Sequence, residues 1–446
     1  MMRTRFLPTP ALMVLAVAAL VAVIASPARA LDIQRIEGGG VEAWLVEDHS
    51  LPVIALKAAF RGGASLDPAG KEGLARMTGA LLDEGAGEMS ATAFQDALED
   101  RAIELGFGAD LDALGVSLRA LSRDGDAAVD LLNLALTRPR FDADAIERIR
   151  GQLQSRVRQA ADEPDSVAWD AYLKASFPDH VYGRPVEGTL ESLAAITAED
   201  LKTFARDALT RDRLIVAIVG DVTPSDASRM LATAFGNLPL SGPSSDVPNV
   251  EPRTGLGVLV RPVEARQSSL VFGQGGVWRD DPDYYVYAVV SRIFGGGGLT
   301  SRLFDAVREE EGLAYSISAS PMQLDHAALF IGRGGTVNER VGETIDVVRR
   351  EWRRLHDEGV TADEVTDAKA YLIGSFPLGL TSSSRIASTL VSLQQENLGI
   401  DYIDRRAALI GAVGLEDANR IARSKFNADA LTIVVAGEPD GDVGKH

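Results

Sequence analysis

Leu214-Ile-Val-Ala-Ile-Val-Gly-Asp221 is a short apolar run, rich in β-branched residues, that ends on a glycine and an acid. Such a run reads as a strand buried on both faces and closed by a turn. The signature returns at Leu431-Thr-Ile-Val-Val-Ala-Gly-Glu438, where Gly437 stands 217 positions after Gly220. The same offset sets the helix-like segment around Arg76 opposite the one around Ile293, and both segments run into glycine. One repeat at so long a period indicates a duplicated domain rather than a solenoid.

Between the copies the composition changes. Residues 238–255 hold Pro239, Pro243, Pro248 and Pro252, which deny a helix and a paired strand. This stretch reads as a linker between a domain at 31–237 and a second at 256–446. Within each half, blocks of strand and helix alternate. Val116, Leu118 and Ala120 alternate with Ser117 and Arg119 as a half-buried strand does. Val341, Ile345, Val348, Trp352 and Leu355 share one face of a helix, and Thr361-Ala-Asp-Glu364 is a capping box that opens another. The pattern predicts an α+β fold with helices on one face of each sheet.

The first thirty residues stand apart. Arg3 and Arg5 precede an apolar run from Ala11 to Ala25, and Ala28-Arg29-Ala30 offers small residues for cleavage before Leu31. That is the form of a secretory signal peptide, and the run is shorter than the roughly 20 residues of a usual span. The expected mature protein is periplasmic or secreted, with no membrane contact after cleavage. It has no cysteine, so neither disulfides nor thiol chemistry contribute. Removing residues 1–30 leaves 42 basic against 64 acidic side chains, which argues against nucleic acid and anionic lipid as partners.

Hydrolytic metal sites need several His, Asp, Glu or Cys side chains converging on one point. The histidines are His49, His180, His326, His356 and His446, none within a helical turn of another. His-Glu-x-x-His, its inverse, Gly-x-Ser-x-Gly and a phosphate-binding loop are all absent, and nothing local signals a Ser-His-Asp triad. His180 reads as a structural histidine in the loop Phe177–Pro185, and His356 as a complement to a helix end.

From Phe60-Arg-Gly-Gly-Ala-Ser-Leu-Asp-Pro-Ala-Gly-Lys-Glu-Gly-Leu-Ala75 onward, the chain resembles the pitrilysin-type M16 zinc peptidases. Tyr182-Gly-Arg-Pro-Val-Glu-Gly-Thr189, the paired strand ends and Ser301-Arg-Leu-Phe-Asp-Ala-Val-Arg-Glu-Glu-Glu-Gly-Leu-Ala-Tyr315 carry the resemblance across the mature chain. It implies two M16/LuxS-like metallohydrolase-type domains, each an antiparallel sheet with helices on one face, forming half of a clam shell.

In active members an inverted zinc motif follows Gly-Leu-Ala at once. Here Gly73-Leu74-Ala75 runs into Arg76-Met77-Thr78-Gly79-Ala80. Arg76 stands for the first histidine ligand, Gly79 for the glutamate that activates water, and Ala80 for the second histidine. Arg156 falls where the remaining glutamate ligand would lie. A guanidinium stays protonated and repels zinc, so this chain is expected to bind no metal.

The Arg and Tyr that members carry seven apart match Arg308 and Tyr315. A phenol there can donate to a developing oxyanion. The run Gly295, Gly296, Gly297 and Gly298 matches a glycine-rich loop near bound peptide in the family, or else is a flexible turn. The resemblance thus implies a non-catalytic subunit that lends Arg308 and Tyr315 to a zinc-bearing M16 partner and helps enclose a peptide. The alternative is an inert scaffold, possibly homodimeric.

Overall fold

The computed structural model describes residues 31–441 and Val443. The expected signal peptide at 1–30 and His446 lie outside the described residues. Two sheets organise the rest. The first comprises β1 (Ile33–Gly38), β2 (Val41–Glu47), β3 (Val53–Arg61), β4 (Glu104–Ala109), β5 (Ala113–Leu121) and β6 (Leu214–Gly220), in the order β1-β2-β6-β3-β5-β4. The second comprises β7 (Gly257–Pro262), β8 (Gln267–Gly275), β9 (Ala314–Gln323), β10 (Ala328–Val337) and β11 (Thr432–Gly437), in the order β7-β11-β8-β10-β9. Apart from β1, the two orders match position for position. The repeat seen in β6 and β11 therefore extends to the whole sheet.

The fold is α+β, but each sheet is mixed rather than purely antiparallel. β6 runs parallel to β2 and antiparallel to β3, and β11 runs parallel to β7 and antiparallel to β8. Both strands arrive late in their half and insert beside one formed early. Such a return brings a strand in parallel to one neighbour, and a strand covered on both faces reads as a continuous apolar run. β11 is buried along its whole length.

The expectation of helices on one face is corrected more substantially. Ile54, Leu56 and Phe60 face a core shared with helices Gly125–Thr137 and Pro224–Phe235. The opposite face of β3 and β6 is covered by helix Ser383–Gln395 from the second half, which packs on both strands. Ala55, Ala59 and Ala217 are buried and small, so that helix can approach closely. The second sheet is treated likewise. Leu270, Phe272 and Phe330 face their own helices around Trp352. Val271, Leu329, Ile331 and Val434 instead meet Tyr172 and Leu173 of helix Pro164–Ser176, which belongs to the first half. Each half thus supplies the second wall of the other.

A polar seam fixes the two halves together. The buried Tyr182 hydroxyl donates to Asp112 Oδ1 (2.5 Å) and accepts from the His326 N–H (2.9 Å). Asp112 Oδ2 accepts from the Asp325 N–H, and Arg61 pairs with the Asp325 carboxylate at 3.0 Å. Burial pushes Asp112 up to about 6 despite the Tyr182 bond. His180 has the structural role expected of it: Nδ1 accepts from the Tyr182 N–H, and Nε2 lies 3.0 Å from the Pro248 carbonyl.

Candidate functional site

The segment that replaces the zinc motif is a short helix, Leu74–Gly79. Asp67 builds its entry. That buried carboxylate accepts from the N–H groups of Gly73 and Ala75, both at 2.8 Å, and burial pushes it up to about 7. Gly73 takes a left-handed turn (φ +90°), which admits glycine readily. Leu74, Ala75, Met77 and Thr78 point into the core, and Arg76 occupies the half-exposed face.

The Arg76 guanidinium is anchored by its Nε to Glu187 Oε1 at 3.1 Å, with Nη1 3.5 Å from the carbonyl of Ala109 at the end of β4. A cation therefore sits against the edge strand where the resemblance expects a ligand. Gly79 lies over Gly108 of β4; a side-chain carbon there would make ordinary contacts at 3.7 Å. Ala80 packs on the core. Arg156 is exposed on helix Ala143–Ala161, with no hydrogen bond to Arg76. Residues 76, 79, 80 and 156 thus supply two cations and no donor, so the group fitted by the family motif does not fit here. Among the described residues no three His, Cys, Asp or Glu side chains cluster so as to hold a metal ion.

Arg308 and Tyr315 are brought together. Arg308 lies in a wide-turned helical segment, Asp305–Glu310, of the π type common at functional sites. Gly312 ends it in the left-handed region (φ +60°), and the Leu313 N–H closes on the Val307 carbonyl at 2.8 Å. The chain then enters β9, the edge of the second sheet. There the register slips. Ile317 pairs with Gly334, yet Ala314 pairs with Thr336, so Tyr315 and Ser316 together oppose Gly335 alone.

This bulge has a direct consequence. Strict alternation from the buried Ile317 would turn Tyr315 inward. The extra residue lets Ala314 and Ile317 both face the core and throws Tyr315 outward, where it is 83% exposed. The Arg308 guanidinium lies 4.9 Å from the centre of its ring and 5.2 Å from that of Phe304, a cation–π arrangement that positions the phenol. No hydrogen bond or ion pair among the described residues links Arg76 to either member of this pair.

The four glycines that follow helix Tyr284–Phe294 do not form one uniform surface. Gly295 is buried, Gly297 is half-buried, and Gly296 and Gly298 are exposed. The N–H groups of Gly295 and Gly296 both donate to the Ser291 carbonyl, at 3.0 and 2.9 Å, and so close the helix end. The Gly295 carbonyl accepts the Ala319 N–H at 3.1 Å, and a side chain on Gly295 would meet Ala319 at 2.8 Å. A side-chain carbon on Gly296 would come to 3.3 Å from the Ser291 carbonyl oxygen, while Gly297 lies on the Arg292 guanidinium. The free-turn reading is therefore corrected: the loop is seated on β9. Of the four glycines expected to lie near peptide, Gly295 and Gly297 make the closest contacts within the chain, and Gly296 and Gly298 are exposed.

Sequence reasoning missed the bulge, the wide helical turn and the Asp112–Tyr182 seam. The bulge and the seam each depend on a partner distant in sequence, and the wide turn on the register in which the local backbone bonds close. Ser122, Asp221 and His49 also come together, but Ser122 Oγ and His49 Nδ1 bind opposite oxygens of Asp221, each at 2.7 Å. The serine is not bonded to the imidazole, so this is not a nucleophilic triad.

A duplicated α+β scaffold with a metal site replaced by cations and an exposed Arg–Tyr pair defines a peptidase-type protein of the inactive kind. The chain belongs to the M16 peptidase family. The family profile "Peptidase M16 inactive domain" matches residues 195–372. An uncharacterized zinc protease of Mycobacterium bovis is 30% identical over 311 residues, covering 68% of this chain and 70% of that protein. The non-peptidase homolog YmxG of Helicobacter pylori is 26% identical over 415 residues, covering 93% and 96%. Among solved structures, an M16 inactive domain from Pseudomonas fluorescens superposes with a TM-score of 0.85 at 28% identity, covering 92% of this chain and 98% of that one.

Proposed function

We propose that this chain is the non-catalytic subunit of a heterodimeric M16 zinc metallopeptidase, exported to the periplasm or beyond and cut after Ala30. One observation carries the reading. Tyr315 is thrown to solvent by the bulge with Arg308 over its ring, as a pair offered to a partner's site would be. A partner bearing the zinc motif would supply the metal and the activated water. This chain would add peptide as a strand along a sheet edge, where main-chain bonds give affinity without strict sequence demands. Tyr315 would donate to the oxyanion that develops on the scissile carbonyl, with Arg308 holding the phenol in place.

The test is to mix this chain with the motif-bearing M16 protein from its source. Neither alone should cleave an unstructured peptide, and the mixture should. Activity of the partner that is unchanged by this chain would refute the reading. A second reading has its own support. The Arg76–Glu187 pair fills the vacated site with a structural contact, as an inert peptide-binding or homodimeric scaffold would. Under it the mixture gains no activity, and this chain elutes as a homodimer. Mass measurement of the protein from its source tests export, since the expected mature chain begins at Leu31.

A further inference from the structure

Arg292, in the last turn of helix Tyr284–Phe294, is 8% exposed. Its Nη2 donates to Thr300 Oγ1 at 3.2 Å, and its guanidinium stacks 3.8 Å from the centre of the Tyr371 ring. Its Nε is buried with no hydrogen-bond partner. No carboxylate among the described residues forms an ion pair with it. Other enclosed arginines of this half differ: Arg279 pairs with Glu396 at 2.7 Å and Arg302 with Glu364 at 2.6 Å. A buried cation normally has an anion beside it, because desolvating an unpaired charge is costly.

The glycine loop forms the roof of this arginine. A side-chain carbon on Gly297 would sit 1.8 Å from Nη1, so any side chain there would push the guanidinium aside. Gly298 takes a left-handed turn (φ +54°) with open space around it. The loop is also tied to β9 through the Gly295–Ala319 bond. Ala319 lies four residues beyond Tyr315, about 13 Å along a strand at ~3.3 Å per residue.

We propose that Arg292, beneath Gly295–Gly298, is the anchor for a carboxylate of a peptide lying against β9. A carboxylate fits because two coplanar oxygens match the guanidinium fork, and one negative charge matches one arginine. The acidic excess of the chain disfavours polyanions. The anchor rests on the reading that peptide binds at this edge, and it adds a substrate class: peptides presenting a carboxylate a few residues from the bond held at Tyr315.

The test uses the full chain and dye-labelled neutral octapeptides read by fluorescence anisotropy. One peptide ends in a free carboxylate, a second in an amide, and a third is the amide with one internal glutamate. The acid is expected to bind about tenfold or more tighter than the plain amide at low salt, the strength typical of a charge-assisted pair. Tight binding of the glutamate peptide identifies a side-chain source; tight binding of the acid alone identifies a peptide terminus. R292Q should erase the difference between the acid and the plain amide. If R292Q does not fold, G297A, which displaces the guanidinium, should give the same loss. Equal binding of all three peptides, or a difference that persists in the variant, overturns the anchor. So does failure of every peptide to bind, whereas the shared-site reading is decided separately by the mixing experiment.

Discussion

The two halves share a strand order, yet their edge strands differ. In the first half, helix Leu74–Gly79 runs beside β4 with Gly79 over Gly108 and Arg76 at the strand end. In the second, helix Tyr284–Phe294 runs beside β9, and Gly295 closes on Ala319 through a hydrogen bond. The first edge has lost the side chains that chemistry requires but keeps space. The second has a bulge and a seated glycine loop, and it displays Tyr315. One scaffold therefore holds two edges, and the local backbone decides what each can offer.

The largest expected effect tests the second edge. Tyr315→Phe keeps the ring and its cation–π partner but removes the hydroxyl that the shared-site proposal makes the oxyanion donor. Turnover of the mixed subunits should fall ~10²-fold. Unchanged single-turnover rates would assign the tyrosine to packing. Next comes the contrast between the two glycines. Gly295→Ala drives a carbon to 2.8 Å from Ala319 and should destabilise the protein by about 1–3 kcal/mol. Gly79→Ala meets only ordinary 3.7 Å contacts in a helix, and should be neutral or stabilising by up to about 1 kcal/mol. Urea unfolding of both variants compares them directly, and equal losses would erase the difference drawn here.

The halves also differ in their response to acid. Asp67, raised to about 7, binds its proton more tightly folded than unfolded, so its neighbourhood gains stability as pH falls from about 7 toward the ordinary carboxylate range. Glu364, lowered to about 2 by Arg302 and by the Thr361 N–H and hydroxyl despite its burial, contributes fully above about 4.5 and loses that contribution as pH falls toward 2. Glu364→Gln should cost about 1–2 kcal/mol at pH 7, allowing for solvent screening, and little at pH 2.5. The unfolding midpoint of the parent chain should rise between pH 8 and 5; a flat profile would contradict the buried-carboxylate account. The smallest effect belongs to Arg308→Lys, which keeps the charge but loses the flat stack. A few-fold decrease in turnover is expected from a contact worth about 0.5–1 kcal/mol, with KM unmoved if the arginine only positions Tyr315.

Much of this was legible in the sequence. β6 and β11 are continuous apolar runs, so the duplication could be read from them alone. The capping box at Thr361 appears as the spacing dictates, with Thr361 and Glu364 bonded reciprocally. The vacancy at residues 76–80 follows from side-chain chemistry. The outward turn of Tyr315 did not, because a bulge is a property of two strands and Gly335 lies far from Tyr315 in sequence. Four identical glycines likewise gave no hint that Gly298 would stand in open space while Gly297 covers an arginine, since what each one touches is set by its neighbours in space. The second covering of each sheet was hidden for a related reason. Helix Pro164–Ser176 shows an apolar face, but nothing in its own residues says which sheet that face will meet. Arg292 was invisible because an unpaired arginine is defined by what does not surround it.

The reciprocal placement of helices Pro164–Ser176 and Ser383–Gln395 makes this chain a tethered pseudo-dimer. Cutting the backbone within residues 238–255 should leave two fragments that stay locked together, because each holds a piece embedded in the other. Neither fragment made alone has both walls of its sheet. The arrangement also explains how two copies can drift apart in chemistry without drifting apart in shape. What they must go on matching is the seat for a borrowed helix, and that seat lies on the sheet face away from Arg76 and the helices of each half's own core.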